Sequence, residues 1–225
     1  MEGKKKGGCL KAVLIGIGVL FVLFLISKFS SNDKEDIKPQ VDSRHETIED
    51  DKAKSDSISK ARLAYIDIEL GKMKPLFNYR YDEFEKTTWI EHKSIPKYVN
   101  TKGFYTYIGM KDNSVWERLV IRYHGEDWLF IQKIMIKADE SIFEITPQKV
   151  ERDNDSQVWE YIDITPDKTE IAMISNVIAS KTTKIRFEGK QHYFDWVLSS
   201  KEINALKDTQ IYFNLLSEKE ELENR

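Results

Sequence analysis

One cysteine, Cys9, stands in the whole 225-residue chain. A lone thiol excludes a disulfide framework and any metal site built on paired cysteines. Charge of one sign is not in excess either: 35 Lys/Arg face 38 Asp/Glu, for a net charge of −3. That balance gives no electrostatic footprint of a nucleic-acid partner. There is no G-x-S-x-G elbow, no G-x-x-x-x-G-K-[ST] loop and no G-x-G-x-x-G turn. The spellings of a serine-hydrolase nucleophile, a P-loop and a dinucleotide fold are therefore missing. No pair among His45, His92, His124 and His192 has the i, i+4 spacing of a helical zinc site.

Long apolar runs are scarce too, and the one present is informative. Residues 12–26 (AVLIGIGVLFVLFLI) carry no charge and follow Lys4, Lys5, Lys6 and Lys11. A membrane-crossing helix takes about 20 residues. Residues 9–29 reach that length if Lys11 and Lys28 extend their ammonium groups to the headgroups. A cleaved signal peptide needs small residues at −3 and −1 before the cut, and no cut around Ser27-Lys28-Phe29-Ser30-Ser31 leaves small residues at both. Cys9 precedes the apolar run, whereas a lipidated cysteine follows it. The expectation is an uncleaved anchor at residues 9–29, in contact with the lipid bilayer. The basic tail at residues 1–8 would stay cytoplasmic and the C-terminal domain would lie outside.

Residues 30–57 hold nine Asp/Glu against five Lys/Arg and almost no large apolar side chain. Such a segment cannot offset its ordering entropy, which predicts a flexible charged spacer. From residue 58 the pattern changes. Leu63, Ile66, Leu70 and Met73 recur at helical spacing, with Gly71 weakening the last turn and Pro75 closing it. A broken or irregular piece is expected through Phe77, Phe84 and Trp89.

Strands dominate the centre. Residues 104–110, 118–123, 128–137, 142–146 and 158–164 are apolar or alternating, separated by turn clusters such as Lys111-Asp112-Asn113-Ser114. In residues 128–137, Trp128, Phe130, Ile134 and Ile136 are placed on one face. Residues 151–157 read as a polar loop. Asp167 and Glu170 are spaced as helix cap and N3 residues, and Ile171, Ile174 and Ile178 give that helix an apolar face. A hairpin follows at residues 184–198. Ser199 to Glu202 spell a second capping box, opening a helix with Ile203, Leu206 and Phe213 inward. The charged tail, residues 217–225, is expected to fray. The class is α+β: a mostly antiparallel sheet of five to seven strands with packed helices, over residues 58–216.

Three strings, Tyr123-His124-Gly125-Glu126-Asp127-Trp128-Leu129-Phe130-Ile131, Ile178-Ala179-Ser180-Lys181 and Ile185-Arg186-Phe187-Glu188-Gly189-Lys190, resemble a recurring bacterial domain of uncharacterised function. That domain is often anchored by a lipid or a single helix. The resemblance covers about residues 80–216 and implies an α+β fold of bacterial or phage origin. It implies no activity, so no catalytic residue comes with it.

Chemistry is sought among the remaining polar residues. Arg118 and Arg122 share one strand face, Lys184 and Arg186 another, and Lys133 and Lys137 a third. Should these faces coincide, a basic patch lined by Tyr105, Tyr107 and Tyr123 would take a carboxylate or phosphate. Arg122, Arg186, Tyr123 and Lys133 are the ligand-binding residues this reading names. The competing reading is cross-strand pairing with Glu144, Glu160 and Glu188. Trp128 and Trp159 are expected in the core, and Trp89, Trp116 and Trp196 near strand ends. The functional expectation is a membrane-tethered, extracytoplasmic binding module for a protein, peptide or wall component, with no cofactor, no metal and no catalytic residue assigned. Two alternatives are kept. One is a hydrolase built from His124, Asp127 and His192, or those residues with His92 around a metal. The other is a subunit of a membrane complex, contacting partners through Gly16 and Gly18.

Overall fold

The computed structural model describes residues 44–224, with side chains from Lys54 onward. The expected anchor at residues 9–29, its basic tail and residues 30–43 of the expected spacer lie outside that range. Among the described residues, no helix is long and apolar enough to cross a membrane.

The fold is α+β with antiparallel sheets. Helix α1 (Arg44–Met73) leads through one 3-10 turn into β1 (Phe77–Asp82) and β2 (Thr87–His92). Then come β3 (Gly103–Lys111), β4 (Ser114–Gly125), β5 (Lys133–Ala138), β6 (Ser141–Ile145), β7 (Glu151–Asn154) and β8 (Val158–Ile164). Helix α2 (Lys168–Ala179), β9 (Thr183–Glu188), β10 (Tyr193–Val197) and α3 (Ser200–Glu223) complete the chain. Rather than one sheet of five to seven strands there are two: six strands in the order β1-β2-β3-β4-β8-β7, and four in the order β10-β9-β5-β6.

Both expected capping boxes form. Asp167 accepts from Thr169 and Glu170 N–H groups while Glu170 reaches back, and Ser199 with Glu202 repeats the pattern. Each such cap satisfies donors that the first helical turn leaves unpaired. On α1, Ile66 and Leu70 are buried as expected. That helix starts at Arg44, inside the segment read as spacer. The stretch expected to be irregular is the β1–β2 hairpin, paired from Phe77↔His92 to Asp82↔Thr87. The polar loop contains β7, a short edge strand pairing with β8. On α2 the buried face is Met173, Ile174 and Val177, while Ile171 is exposed. Residues 217–223 of the expected charged tail are helical. Helix α3 runs on to Glu223, with Glu218 gripping Arg62 in a two-point ion pair at 2.6 Å and Lys219 holding Asp67 at 2.6 Å.

Two clusters make the core. In the larger, Leu119, Ile121 and Ile162 of the six-stranded sheet meet Ile134, Ile136, Ile185 and Phe187 of the other, with α2 and Leu206 of α3. In the smaller, Ile66 and Leu70 of α1 meet Phe77, Ile90, Ile108 and Tyr212. Each fully buried side chain of this size contributes about 1.5–3 kcal/mol. Because side chains alternate along a strand, this arrangement leaves one face of the six-stranded sheet outside both clusters.

Candidate functional site: an aromatic sheet face

On β4, Leu119, Ile121 and Tyr123 join the core, so Trp116, Arg118, Val120, Arg122 and His124 point the other way. The register adds Gly109, Tyr107, Tyr105 and Gly103 from β3, and Asp163, Tyr161 and Trp159 from β8. Trp89 of β2 lies opposite Gly109. None of Trp89, Tyr105, Tyr107, Trp116, Arg118 or Tyr161 belongs to either core cluster. They are half-buried, resting on one another instead of under a helix.

The aromatic part has fixed geometry. Trp89 and Trp116 meet edge to face at 5.8 Å, and Trp89 and Tyr107 sit 5.5 Å apart. Such pairs add about 0.5–1.5 kcal/mol beyond area burial. The Trp116 indole lies across Gly109, where any side chain would collide with the ring. Beside the rings, Arg118 gives Nε to Asp163 Oδ1 at 2.9 Å, Nη2 to the Asp163 carbonyl and Nη1 to Thr165 Oγ1. The Tyr107 hydroxyl donates to Asp163 Oδ2 at 2.7 Å. Burial first, then that bond to a carboxylate, raises the Tyr107 pKa. An open groove of about 650 Å³ adjoins this pair, lined by Arg118, Thr146, Lys149, Glu151, Tyr161 and Asp163 among others. That volume lies within the range of ligand sites.

The four residues named from sequence fall in three places. Arg122 is on this face, but only 4% exposed. It donates Nε to Thr101 O at 2.6 Å and Nη2 to Tyr98 O at 3.1 Å. Tyr123 is on the opposite side, buried, its hydroxyl bonded to Asp127 O at 3.0 Å. Arg186 and Lys133 lie on the outer face of the four-stranded sheet. There the basic residues are paired across strands. Arg186 holds Asp195 through two bonds of 2.7 and 2.8 Å, and Lys133 reaches Glu188 at 3.1 Å. One patch spanning all four does not form, because β4 and β9 belong to different sheets.

Glu160, read as a strand-face partner, faces the core instead. It is completely buried, accepting the N–H groups of Leu129, Phe130 and Ile131 at 2.7–2.9 Å and Arg152 Nε at 2.9 Å. Residues 128–132 are consequently not strand but a crossover between sheets. Phe130, at φ 54°, is turned outward and half exposed, away from Ile134 and Ile136. Gly125 makes room for the Tyr123 ring and Gly189 for the Leu129 carbonyl. Two of the three strings carrying the resemblance thus meet at this crossover. The third places Lys181 N–H on the Asp139 carboxylate.

Trp159 is buried, though on the aromatic face; Trp128 and Trp196 pack half-buried at the larger core. Among the described residues, His92 has the histidine–carboxylate approach, to Asp208 at 3.5 Å. His124 and His192 come within 4 Å of no described carboxylate. No group of three or more His, Cys, Asp or Glu could hold a metal ion among the described residues. Trp89, Trp116 and Asp163 as one surface were missed from sequence. The signal was present in the alternation of Trp116, Arg118 and Arg122, but the partner strands β2 and β8 decide it. No family model, no curated protein and no solved structure matches the chain.

Proposed function

We propose that this protein is a non-enzymatic binding module, tethered to a membrane through residues 9–29 with its domain outside. In this reading it takes an extended ligand along the aromatic face of the six-stranded sheet. The observation that supports it is the Trp89–Tyr107–Trp116 group lying beside the Arg118–Asp163 pair, uncovered by any described helix. Flat aromatic area supplies affinity at low entropic cost, and a fixed polar pair orients what lies on it. From Trp116 to Arg122 the strand spans about 20 Å. That length suits a short segment of peptide or wall polymer rather than a single small molecule.

Screening the detergent-solubilised full chain against arrays of peptides and wall-polymer fragments tests the reading. A bound ligand should be lost at least about tenfold on Trp116→Ala, as expected for an aromatic anchor, while the melting transition stays cooperative. Retention of no ligand, or binding indifferent to Trp116→Ala and Tyr107→Ala, would overturn it.

A further inference from the structure

Arg122 differs from every other arginine whose side chain is described. Arg62, Arg80, Arg118, Arg152 and Arg186 each have a carboxylate within 4 Å. Arg122 has none, yet it is 4% exposed and so more buried than any of them. A guanidinium stays charged in proteins, and a buried charge is costly unless paired. Two backbone carbonyls, of Tyr98 and Thr101, take Nε and Nη2. They satisfy two donors of the fork but bring no countercharge. Among the described residues Nη1 has no acceptor, and it is not among the atoms sealed from solvent.

The surroundings supply a second donor. The Tyr105 ring centroid lies 5.9 Å from the Arg122 guanidinium carbon. Gly103, opposite Arg122 in the register, lets ring and guanidinium close together where a side chain would intrude. Burial raises the Tyr105 pKa and the adjacent Arg122 opposes the rise, so the hydroxyl remains a donor at neutral pH. Nearby acids are engaged elsewhere. Asp163 serves Arg118 and Tyr107, and Glu151 pairs with Lys149. Glu91, which acts on Tyr105, comes no closer than 4 Å to Arg122.

Resting on the reading of this face as the ligand surface, we infer that Arg122 Nη1 and the Tyr105 hydroxyl form an oxyanion subsite at its end. The ligand carries a carboxylate or phosphate there, with its body lying toward Tyr107 and Trp116. A clamp for the loop of residues 93–102 would need only Nε and Nη2.

The test uses the detergent-solubilised full chain, melted in acetate, inorganic phosphate or chloride at equal ionic strength. Wild type should melt about 3 °C or more higher in a tenfold excess of one oxyanion over its Kd than in chloride. Which anion stabilises distinguishes a carboxylate from a phosphate ligand. Arg122→Gln should abolish the increment. Should that variant lose its cooperative melt, Tyr105→Phe keeps the guanidinium and should weaken the oxyanion effect severalfold. Equal melting of wild type in all three salts, or an increment that survives both substitutions, overturns the subsite. A neutral ligand that binds in the array and is lost on Trp116→Ala, without any oxyanion effect, would sink this inference and leave the binding face standing. An oxyanion effect lost in Arg122→Gln, with no array ligand retained, would do the reverse.

Discussion

The carboxylate of Glu160 accepts the backbone N–H of Phe130 at 2.7 Å, and Phe130 is held there at φ 54°. A bulky residue in the left-handed region costs about 1–2 kcal/mol. The three convergent amides on Glu160 offset that cost and fix the passage from one sheet to the other. The side chain most buried in the second sheet's approach is therefore an acid, and the one apolar residue beside it that points outward is Phe130.

Replacing this acid should be expensive. Glu160→Gln keeps the shape but loses the charge on bonds to three amides and Arg152, and Glu160→Ala leaves Arg152 and the amides unanswered. Breaking such a buried pair from one side costs about 3–5 kcal/mol, with the glutamine variant nearer the lower end. Urea unfolding measures it, and hydrogen exchange at residues 129–131 should lose protection first. An alanine variant within about 0.5 kcal/mol of wild type would contradict the role given to Glu160.

Stability should depend on pH through Glu117. This carboxyl is 4% exposed under α3, with Oε1 unpartnered beside Thr106 Oγ1 and Gln210 Oε1, which also lack partners. Burial pushes its pKa up to about 7, against the smaller opposing influence of the polar Thr106 and Gln210 side chains. The folded state therefore holds a proton that the unfolded chain releases above its ordinary value of 4.5. Stability from this group is fully present below that value, falls as pH rises and is lost above about 7. The change is on the order of 3 kcal/mol. His92, whose pKa burial lowers, acts in the opposite sense below its ordinary 6.5. The difference between wild type and Glu117→Gln isolates the acid: the variant should gain on wild type steadily between pH 5 and 7. Parallel pH profiles would contradict the buried acid.

Gly109→Ala should strike the aromatic face selectively. A methyl there meets the Trp116 indole, so the ring must lift from the sheet and lose its edge contact with Trp89. We expect a red-shifted tryptophan emission and a loss of about 1–3 kcal/mol from overpacking. Unchanged emission would mean that Trp116 does not rest on Gly109.

Helix α3 should not tolerate the shortening its charged end invites. Glu220 Oε2 accepts the Val115 N–H at 3.0 Å, and Leu222 packs against the smaller core. Truncation after residue 216 should therefore lower the melting temperature by several degrees. Glu218→Gln alone removes a half-exposed ion pair, which is worth no more than about 1 kcal/mol. Truncation without effect would place the helix end outside the fold's energetics.

Periodicity made much of this architecture legible. The Leu63–Ile66–Leu70 stripe, both capping boxes and the alternation of β4 and β8 follow from local sequence. What failed depended on distant partners. Glu160 reads as an exposed strand acid until Leu129, Phe130 and Ile131 arrive above it. Residues 217–223 read as a fraying tail until Arg62 and Asp67 stand opposite. The start of α1 also has a local signal in the sequence: Ser43-Arg44-His45-Glu46 has capping-box spacing. The site was half legible. The charge of Arg122 marks it in the sequence, whereas joining it to Arg186 requires both to lie in one sheet, and they do not. Trp89 and Asp163 came to Arg118 only through pairing across β2, β3, β4 and β8.

The five tryptophans offer the most direct test, because they are divided among surfaces. Trp89, Trp116 and Trp159 lie on the aromatic face, while Trp128 and Trp196 pack at the larger core. Titrating a ligand found in the array while following the five indole N–H resonances should shift those of Trp89 and Trp116 and leave Trp128 and Trp196 unmoved. Shifts confined to Trp128 and Trp196 would contradict the assignment of this face as the binding surface.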